Sequence, residues 1–109
     1  MQRKEVESTL EAGFRYARMK AYLPWNQEKP DSYAYSIKEL ITLVEGELQE
    51  LYNCYGEMVE YENKITPKDR ENKTRKSRNK KAVELAMECG DMINFLSMIC
   101  KNVELGRVS

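Results

Sequence analysis

The sequence predicts an all-α protein, a helical bundle with a long antiparallel helix hairpin that is completed by oligomerisation. Apolar residues recur every three or four positions over three long stretches, which is the spacing of amphipathic helices. The last stretch carries two apolar tracks, so that helix is expected to pack on two sides. The 109 residues make one domain with a modest core, and small helical units often complete their cores with a second copy.

The first helix is predicted from Arg3 to about Tyr22, because apolar residues recur at helical spacing: Val6, Leu10, Phe14, Ala17 and Ala21. The second is predicted from Ile37 to about Tyr61, since Ser36 and Glu39 have the spacing of a capping box. Its apolar residues alternate four and three apart, as in a helix packed lengthwise against another: Ile37, Ile41, Val44, Leu48, Leu51, Tyr55 and Met58.

The third helix is predicted from about Ser77 to Val103. Its main apolar track contains Ala82, Leu85, Cys89, Met92, Leu96, Ile99 and Val103, and its second track contains Val83, Ala86, Ile93 and Cys100. One side is expected to face the second helix and the other the first helix or a second subunit. A homodimer or homotetramer would then complete the bundle.

A basic segment separates the second and third predicted helices. Residues 64–81 hold nine of the eighteen basic residues, against Asp69 and Glu71 alone. The segment has almost no apolar residues and contains Pro67, so it is predicted to be a solvated, flexible linker within a single domain spanning 1–109. Two further roles stay open for it, an electrostatic funnel for a polyphosphate and a weak nucleic-acid contact.

Composition excludes several classes of protein and of chemistry. The charges cancel, no apolar run approaches the roughly 18 residues of a membrane span, and residues 1–4 show no signal-peptide pattern, so we expect a soluble, cytoplasmic protein. Cys54, Cys89 and Cys100 follow no metal-binding pattern and are expected to be reduced. Without any histidine, Ser-His and Cys-His nucleophiles are excluded, which leaves metal-bound water and carboxylates.

Two carboxylate pairs, Glu47 with Glu50 and Glu88 with Asp91, lie on the apolar edges of the second and third predicted helices. Residues three apart are neighbours on a helix, so each pair presents its oxygens side by side. In an antiparallel hairpin with the predicted ends, facing residue numbers sum to about 140, which brings the pairs within one turn of each other. Like charges on facing helices repel unless a cation lies between them. The sequence therefore predicts an Mg²⁺ or Mn²⁺ site.

The same register predicts ordinary ion pairs among Glu57, Glu60, Lys80 and Lys81. It also places Gly46 and Gly90 beside the predicted metal site. A glycine inside a helix costs about 1 kcal/mol relative to alanine, so both positions need a reason. Either the missing side chains leave room for ions and phosphates, or they allow close helix packing.

The residues around the two pairs resemble a known superfamily. The run E-L-Q-E-L-Y-N at 47–53, followed by E-C-G-D-M-I-N-F-L at 88–96, is similar to the paired motifs of the all-α nucleoside triphosphate pyrophosphohydrolases. That superfamily includes MazG proteins, dCTP pyrophosphatases and dimeric dUTPases, and the resemblance covers roughly residues 37–103. Gly46 stands where MazG proteins often have a glutamate, and Asn94 replaces the histidine of the dUTPase motif.

The resemblance implies Mg²⁺-dependent hydrolysis of a nucleoside triphosphate to a monophosphate and pyrophosphate. It assigns the metal ligands to Glu47, Glu50, Glu88 and Asp91. We predict Glu50 as the catalytic base, because it faces the gap expected at Gly90, where water could approach the α-phosphorus. The candidate substrate contacts are Lys101 and Arg15 for phosphate charge, Trp25 for base stacking, and Asn53 and Asn94 for base or sugar edges.

Alternatives remain for these residues and for the whole chain. Packing of its loop on the bundle is the alternative for Trp25, and an amide on a helix surface is the alternative for Asn94. A non-catalytic helical module that binds a partner or a nucleotide through the basic segment is the alternative function. Such a module does not require two carboxylate pairs to coincide across a hairpin, which favours the enzyme and makes a nucleic-acid partner the weaker expectation.

Overall fold

A computed structural model describes residues 2–23, 26, 34–64 and 74–108, with the side chains of the last range described from residue 80 onward. These ranges form three helices, α1 (Arg3–Ala21), α2 (Ile37–Lys64) and α3 (Thr74–Glu104), and contain no strand. The predicted all-α class is confirmed. Within the described ranges, no helix has the length and apolar character needed to cross a membrane.

The predicted start of α2 is confirmed by its hydrogen bonds. The backbone N–H of Glu39 donates to Ser36 Oγ at 3.1 Å, and the backbone N–H of Ser36 donates to Glu39 Oε1 at 3.3 Å. This reciprocal pair is a capping box, and it satisfies two N–H groups that a helix start leaves without intrahelical partners. The helix extends to Lys64, three residues beyond the predicted end at Tyr61.

The third helix begins earlier than predicted. It starts at Thr74 rather than near Ser77, so residues 74–81 of the predicted basic linker are helical. Lysine and arginine are good helix formers, which is the physical reason that a polar, basic sequence continues the helix here. Residues 65–73 of the linker lie outside the described ranges. At the other end, Gly106 has φ +72° and its N–H donates to Val103 O. A glycine in this left-handed conformation is a common way for a helix to end.

The helix with two apolar tracks is the central helix of the fold. Among the described residues, α3 packs against both α1 and α2, whereas α1 and α2 do not pack against each other. The helix α1 therefore packs on the second side of α3. The sequence allowed either this helix or a second subunit there.

Polar contacts join α3 to α2 and to the residues just before it. Lys81 Nζ lies 3.5 Å from Glu57 Oε2, so that predicted ion pair is confirmed. Glu60 pairs instead with Lys64 on its own helix, at 3.5 Å. Near the start of α2, Asn102 Nδ2 donates to the backbone oxygen of Tyr35 at 3.3 Å.

The helices α1 and α3 approach each other closely at Gly90, which is buried. A Cβ atom at this position would lie 2.5 Å from the backbone oxygen of Tyr16, closer than real Cβ atoms come to any atom. One turn further along α3, Asn94 Nδ2 donates to the backbone oxygen of Ala17 at 2.8 Å. Close helix packing therefore explains Gly90, and α1 fills the space that the sequence left open for ions. A Cβ at Gly46 would meet nothing within 4 Å.

The three helices bury little apolar surface between them. Ala17 and Leu40 are the buried hydrophobic residues of the described ranges. Large apolar side chains are exposed on every helix, including Leu10, Phe14, Ile41, Leu48, Tyr52, Tyr55 and Leu96. The single chain thus leaves a large apolar area open.

The two glycines give a matched test of the α1–α3 contact. We expect Gly90→Ala to destabilise the fold by about 1 to 3 kcal/mol, because the added methyl group must push the backbone of α1 away. Gly46→Ala should instead stabilise it by about 0.5 to 1 kcal/mol, because alanine favours the helix and meets no neighbour. Urea denaturation followed by circular dichroism measures both changes. Equal effects of the two substitutions would contradict the close approach at Gly90.

Candidate metal centre

Three carboxylates converge where α2 and α3 face each other. Glu47 on α2 and Glu88 and Asp91 on α3 each offer an oxygen, and these oxygens all lie within 4.8 Å of one another. All three residues are half-buried. Glu88 and Asp91 share a face of α3 because they are three residues apart, and the contact register of the two helices brings Glu47 beside them. Three of the four predicted ligands therefore lie together, and the fourth, Glu50, is not part of this group.

Glu50 lies at the exposed edge of this cluster. Its charge acts on both Glu47 and Glu88, so it is close to the cluster although its own side chain is exposed. Glu50 was predicted as the catalytic base because of a gap expected at Gly90. That expectation was wrong, since the backbone of α1 occupies the space. Access of Glu50 to water comes instead from its exposed position on α2.

Burial and mutual repulsion disfavour full ionisation of the cluster. Desolvation, followed by the charges of Asp91 and Glu50, raises the pKa of Glu47 from 4.5 to about 7. Desolvation also raises the pKa of Glu88, and the nearby charges of Glu50 and Asp91 act in the same direction. The ammonium group of Lys20 opposes the increase at Glu88. The cluster therefore favours a bound proton or a nearby cation over full ionisation.

Two oxygens of the cluster have no hydrogen-bond partner. Glu47 Oε2 and Glu88 Oε2 are both buried and unpaired. A buried oxygen without a partner is costly, and the cost is larger when the group carries charge. Oxygens that share one octahedral Mg²⁺ lie about 3.0 to 4.2 Å apart, given metal–oxygen distances near 2.1 Å. A small contraction of the cluster would reach that range, so these carboxylates fit a hard divalent cation.

A lysine that the sequence argument missed also contacts the cluster. Lys20 Nζ lies 3.1 Å from Asp91 Oδ2, and the two side chains are only 17% and 18% exposed. Lys20 is in the last turn of α1, next to Ala21 and three residues after Ala17. Its place at the edge of the apolar stripe was visible in the sequence. Its partner was not, because pairing it with Asp91 requires the register between α1 and α3.

The other predicted contacts are not gathered at the cluster. Asn53 is exposed on α2, where its Oδ1 accepts from Gln49 Nε2 at 3.0 Å. Lys101 pairs with Glu104 at 3.5 Å, and its ten-residue separation from Asp91 on the same helix corresponds to about 15 Å. Arg15 is exposed on α1, with no contact to the cluster among those observed.

Two predicted base contacts have different outcomes. Trp25 lies outside the described residues, so its stacking role stays a prediction. The amide nitrogen of Asn94 donates to the backbone of α1, which gives this residue a structural function that neither sequence interpretation included. Asn94 also lines an open cavity of about 290 Å³ between α1 and α3. Other residues of its lining are Phe14, Ala17, Arg18, Tyr22 and Ile93.

A second, apolar groove lies between α2 and α3. It measures about 370 Å³ and is lined by Leu48, Leu51, Tyr52, Tyr55, Leu85 and Cys89. Leu48 directly follows Glu47, and Cys89 directly follows Glu88. The groove therefore begins beside the carboxylate cluster, although its own lining is apolar.

Comparison of the chain with protein-family models, with curated proteins and with solved structures finds no match. The function is therefore inferred from the geometry and the chemistry of the site.

The raised pKa of Glu47 predicts a specific pH dependence of stability. Between pH 4.5 and about 7, the folded protein keeps a proton on Glu47 that the unfolded chain has released. The stability of the metal-free protein should therefore fall as pH rises through this window. Glu47→Gln should reduce this fall, whereas Glu45→Gln, an exposed change on the same helix, should keep it. Melting temperatures measured in chelator from pH 5 to about 8 test this, and identical slopes in all three proteins would contradict it.

Proposed function

We propose that this chain is an Mg²⁺- or Mn²⁺-dependent nucleoside triphosphate pyrophosphohydrolase of the MazG-like all-α type. The observation that carries the proposal is the convergence of Glu47, Glu88 and Asp91 from two helices, with unpaired buried oxygens on Glu47 and Glu88. A surface of solvated carboxylates does not need to bury these oxygens. A site that binds a divalent cation does, because partial exclusion of water strengthens binding of the ion.

The proposed roles follow from position and exposure. Glu47, Glu88 and Asp91 would hold the cation from the partly buried side, and Glu50 would complete the set from the exposed side. A bound Mg²⁺ would supply charge neutralisation for the phosphates and a lower pKa for a coordinated water. Glu50 is the group best placed to accept a proton from that water, because it is both next to the cluster and open to solvent.

The cavity between α1 and α3 is the proposed place for the nucleoside. Asn94 lines it one turn along α3 from Asp91, so the cavity and the carboxylate cluster are neighbours. Phe14 and Tyr22 offer aromatic surface there. Arg18 is also part of the lining and is half exposed, with a 2.7 Å ion pair to Glu11. This lining combines stacking surface with polar groups, as a nucleoside site requires.

We propose that α2 and α3 form the long antiparallel hairpin that the sequence suggested. Three contacts support it, because they join residue 57 with 81, residue 47 with 91, and residue 35 with 102. Each pair sums to nearly the same number, which is the property of antiparallel neighbours. The observed sum of 138 differs from the expected sum of about 140 by less than one helical turn.

We further propose that a second copy of this chain covers the apolar groove. The groove is lined by large apolar side chains, among them Tyr52 and Tyr55 at 65% and 53% exposure. Other large apolar side chains are exposed on the same two helices, including Ile41, Leu48 and Leu96. A second copy in a homodimer or homotetramer would cover such a surface, and a stable dimer interface buries a total of about 1,200 to 2,000 Å².

The catalytic proposal is tested with a panel of ribonucleoside and deoxyribonucleoside triphosphates, scored for pyrophosphate release. We expect at least one substrate to be hydrolysed in an Mg²⁺- or Mn²⁺-dependent manner. The double variant Glu47→Gln with Asp91→Asn should lower kcat by about 100-fold or more, since the loss of an outer-shell partner alone costs 10- to 100-fold. The metal should also raise the melting temperature of the wild type and not that of the double variant.

Glu45→Gln is the matched control for this experiment. It removes an exposed carboxylate on α2 close to the site, so activity and the metal-dependent shift should be retained. A folded wild-type protein without hydrolysis and without a metal-dependent shift would remove the proposal. Tight nucleic-acid binding with a steep salt dependence in that case would favour the helical interaction module.

The assembly proposal is tested by analytical ultracentrifugation at micromolar concentration. We expect a dimer or tetramer, and we expect Tyr55→Glu to shift it towards smaller species, because a charge would be buried in the covered groove. Val108→Glu is the control, since this residue is 68% exposed and lies beyond α3. A compact wild-type monomer of 12.8 kDa would contradict the proposal.

A further inference from the structure

The contact of Lys20 with Asp91 is built into the fold. Lys20 Nζ lies 3.1 Å from Asp91 Oδ2, and both side chains are more than four-fifths covered. An exposed lysine on a helix end usually moves freely in water, and its ion pairs are weak. This lysine is instead confined beside a cluster of three carboxylates.

Contacts on both sides of Lys20 hold its backbone in place. The close approach of Tyr16 to Gly90 sets the distance between α1 and α3. The hydrogen bond from Asn94 to the backbone of Ala17 fixes the last turns of α1 on α3. Asn26 Nδ2 donates to the backbone oxygen of Lys20 itself at 2.7 Å. The backbone of Lys20 is therefore fixed relative to α3, and the length of its side chain limits which oxygens the ammonium group can reach.

The ammonium group neutralises only part of the negative charge of the cluster. It pairs with Asp91, but Glu47 Oε2 and Glu88 Oε2 stay buried without a hydrogen-bond partner. A divalent cation among the same carboxylates would contact oxygens of all three residues. A metal ion bound there would repel the ammonium group and would compete with it for Asp91. Occupation of the site by the metal therefore works against the lysine contact.

We propose that Lys20 is the resident cation of the carboxylate cluster and that a divalent metal ion binds by displacing it from Asp91. The inference rests on the proposed metal-dependent function. It adds a regulatory element, because the lysine stabilises the metal-free protein and sets a threshold for metal binding. The affinity of the wild type for Mg²⁺ is then lower than the four carboxylates alone would give.

The test is isothermal titration of the metal-free protein with Mg²⁺ and with Mn²⁺ at constant ionic strength. Lys20→Met keeps most of the apolar stem and removes the charge, so it should bind each metal roughly three- to tenfold more tightly than wild type. Lys20→Arg keeps the charge and should bind no more tightly than wild type. Lys64→Met removes a lysine from the exposed pair with Glu60 and should leave the affinity unchanged.

A second measurement uses the metal-free protein alone. Lys20→Met should lower its melting temperature, and the loss should be smaller in an Asp91→Asn background, where the lysine has no carboxylate partner to stabilise. An equal loss in both backgrounds would assign Lys20 to packing rather than to charge, and it would overturn the inference.

The titration separates failure of this inference from failure of the proposed function. If wild type binds metal and Lys20→Met binds it equally or more weakly, the inference is wrong and the metal site stands. If neither folded protein binds metal, both proposals fall. Metal binding by Lys20→Met in the absence of detectable binding by wild type would support the inference strongly, because the lysine would then be the barrier.

Discussion

The confinement of several carboxylates to one partly buried point is the constraint on which this structure depends. Glu47, Glu88 and Asp91 lie within 4.8 Å of one another, and burial raises the pKa of both glutamates. A protein can relieve such repulsion by keeping a proton, by placing a lysine nearby or by binding a metal ion. The raised pKa of Glu47 favours a retained proton, and Lys20 is the nearby lysine. Two unpaired oxygens remain available to a metal ion.

Each helix contributes a distinct part of this arrangement, and α3 holds the parts together. It carries Glu88 and Asp91, receives Glu47 from α2 on one side and receives Lys20 from α1 on the other. Gly90 lies between the two acidic residues and permits the close approach of α1. A side chain at this position would move the lysine away from Asp91 as well as loosen the packing. The same glycine therefore matters for both stability and charge.

Local patterns in the sequence predicted much of this fold. The capping box at Ser36, the spacing of Glu88 with Asp91, and the pair of Glu57 with Lys81 all follow from helix geometry and one register. The early start of α3 was missed because helix propensity in a basic segment is not visible as apolar periodicity. Lys20 was missed for a different reason. Its partner depends on a backbone contact between helices distant in sequence, which no local spacing encodes.

The position of the apolar groove links assembly to the charge of the cluster. Leu48 and Cys89 line the groove, and each directly follows a carboxylate of the cluster. A second copy seated on this groove would remove water from the same edge of the site, which further disfavours ionised carboxylates. A bound cation would compensate for that loss of hydration. Metal binding and assembly would then favour each other, because both act on the hydration of the same carboxylates. A metal ion that binds the dimer more tightly than the monomer would stabilise the dimer by mass action, and the dimer would bind the metal more tightly in return.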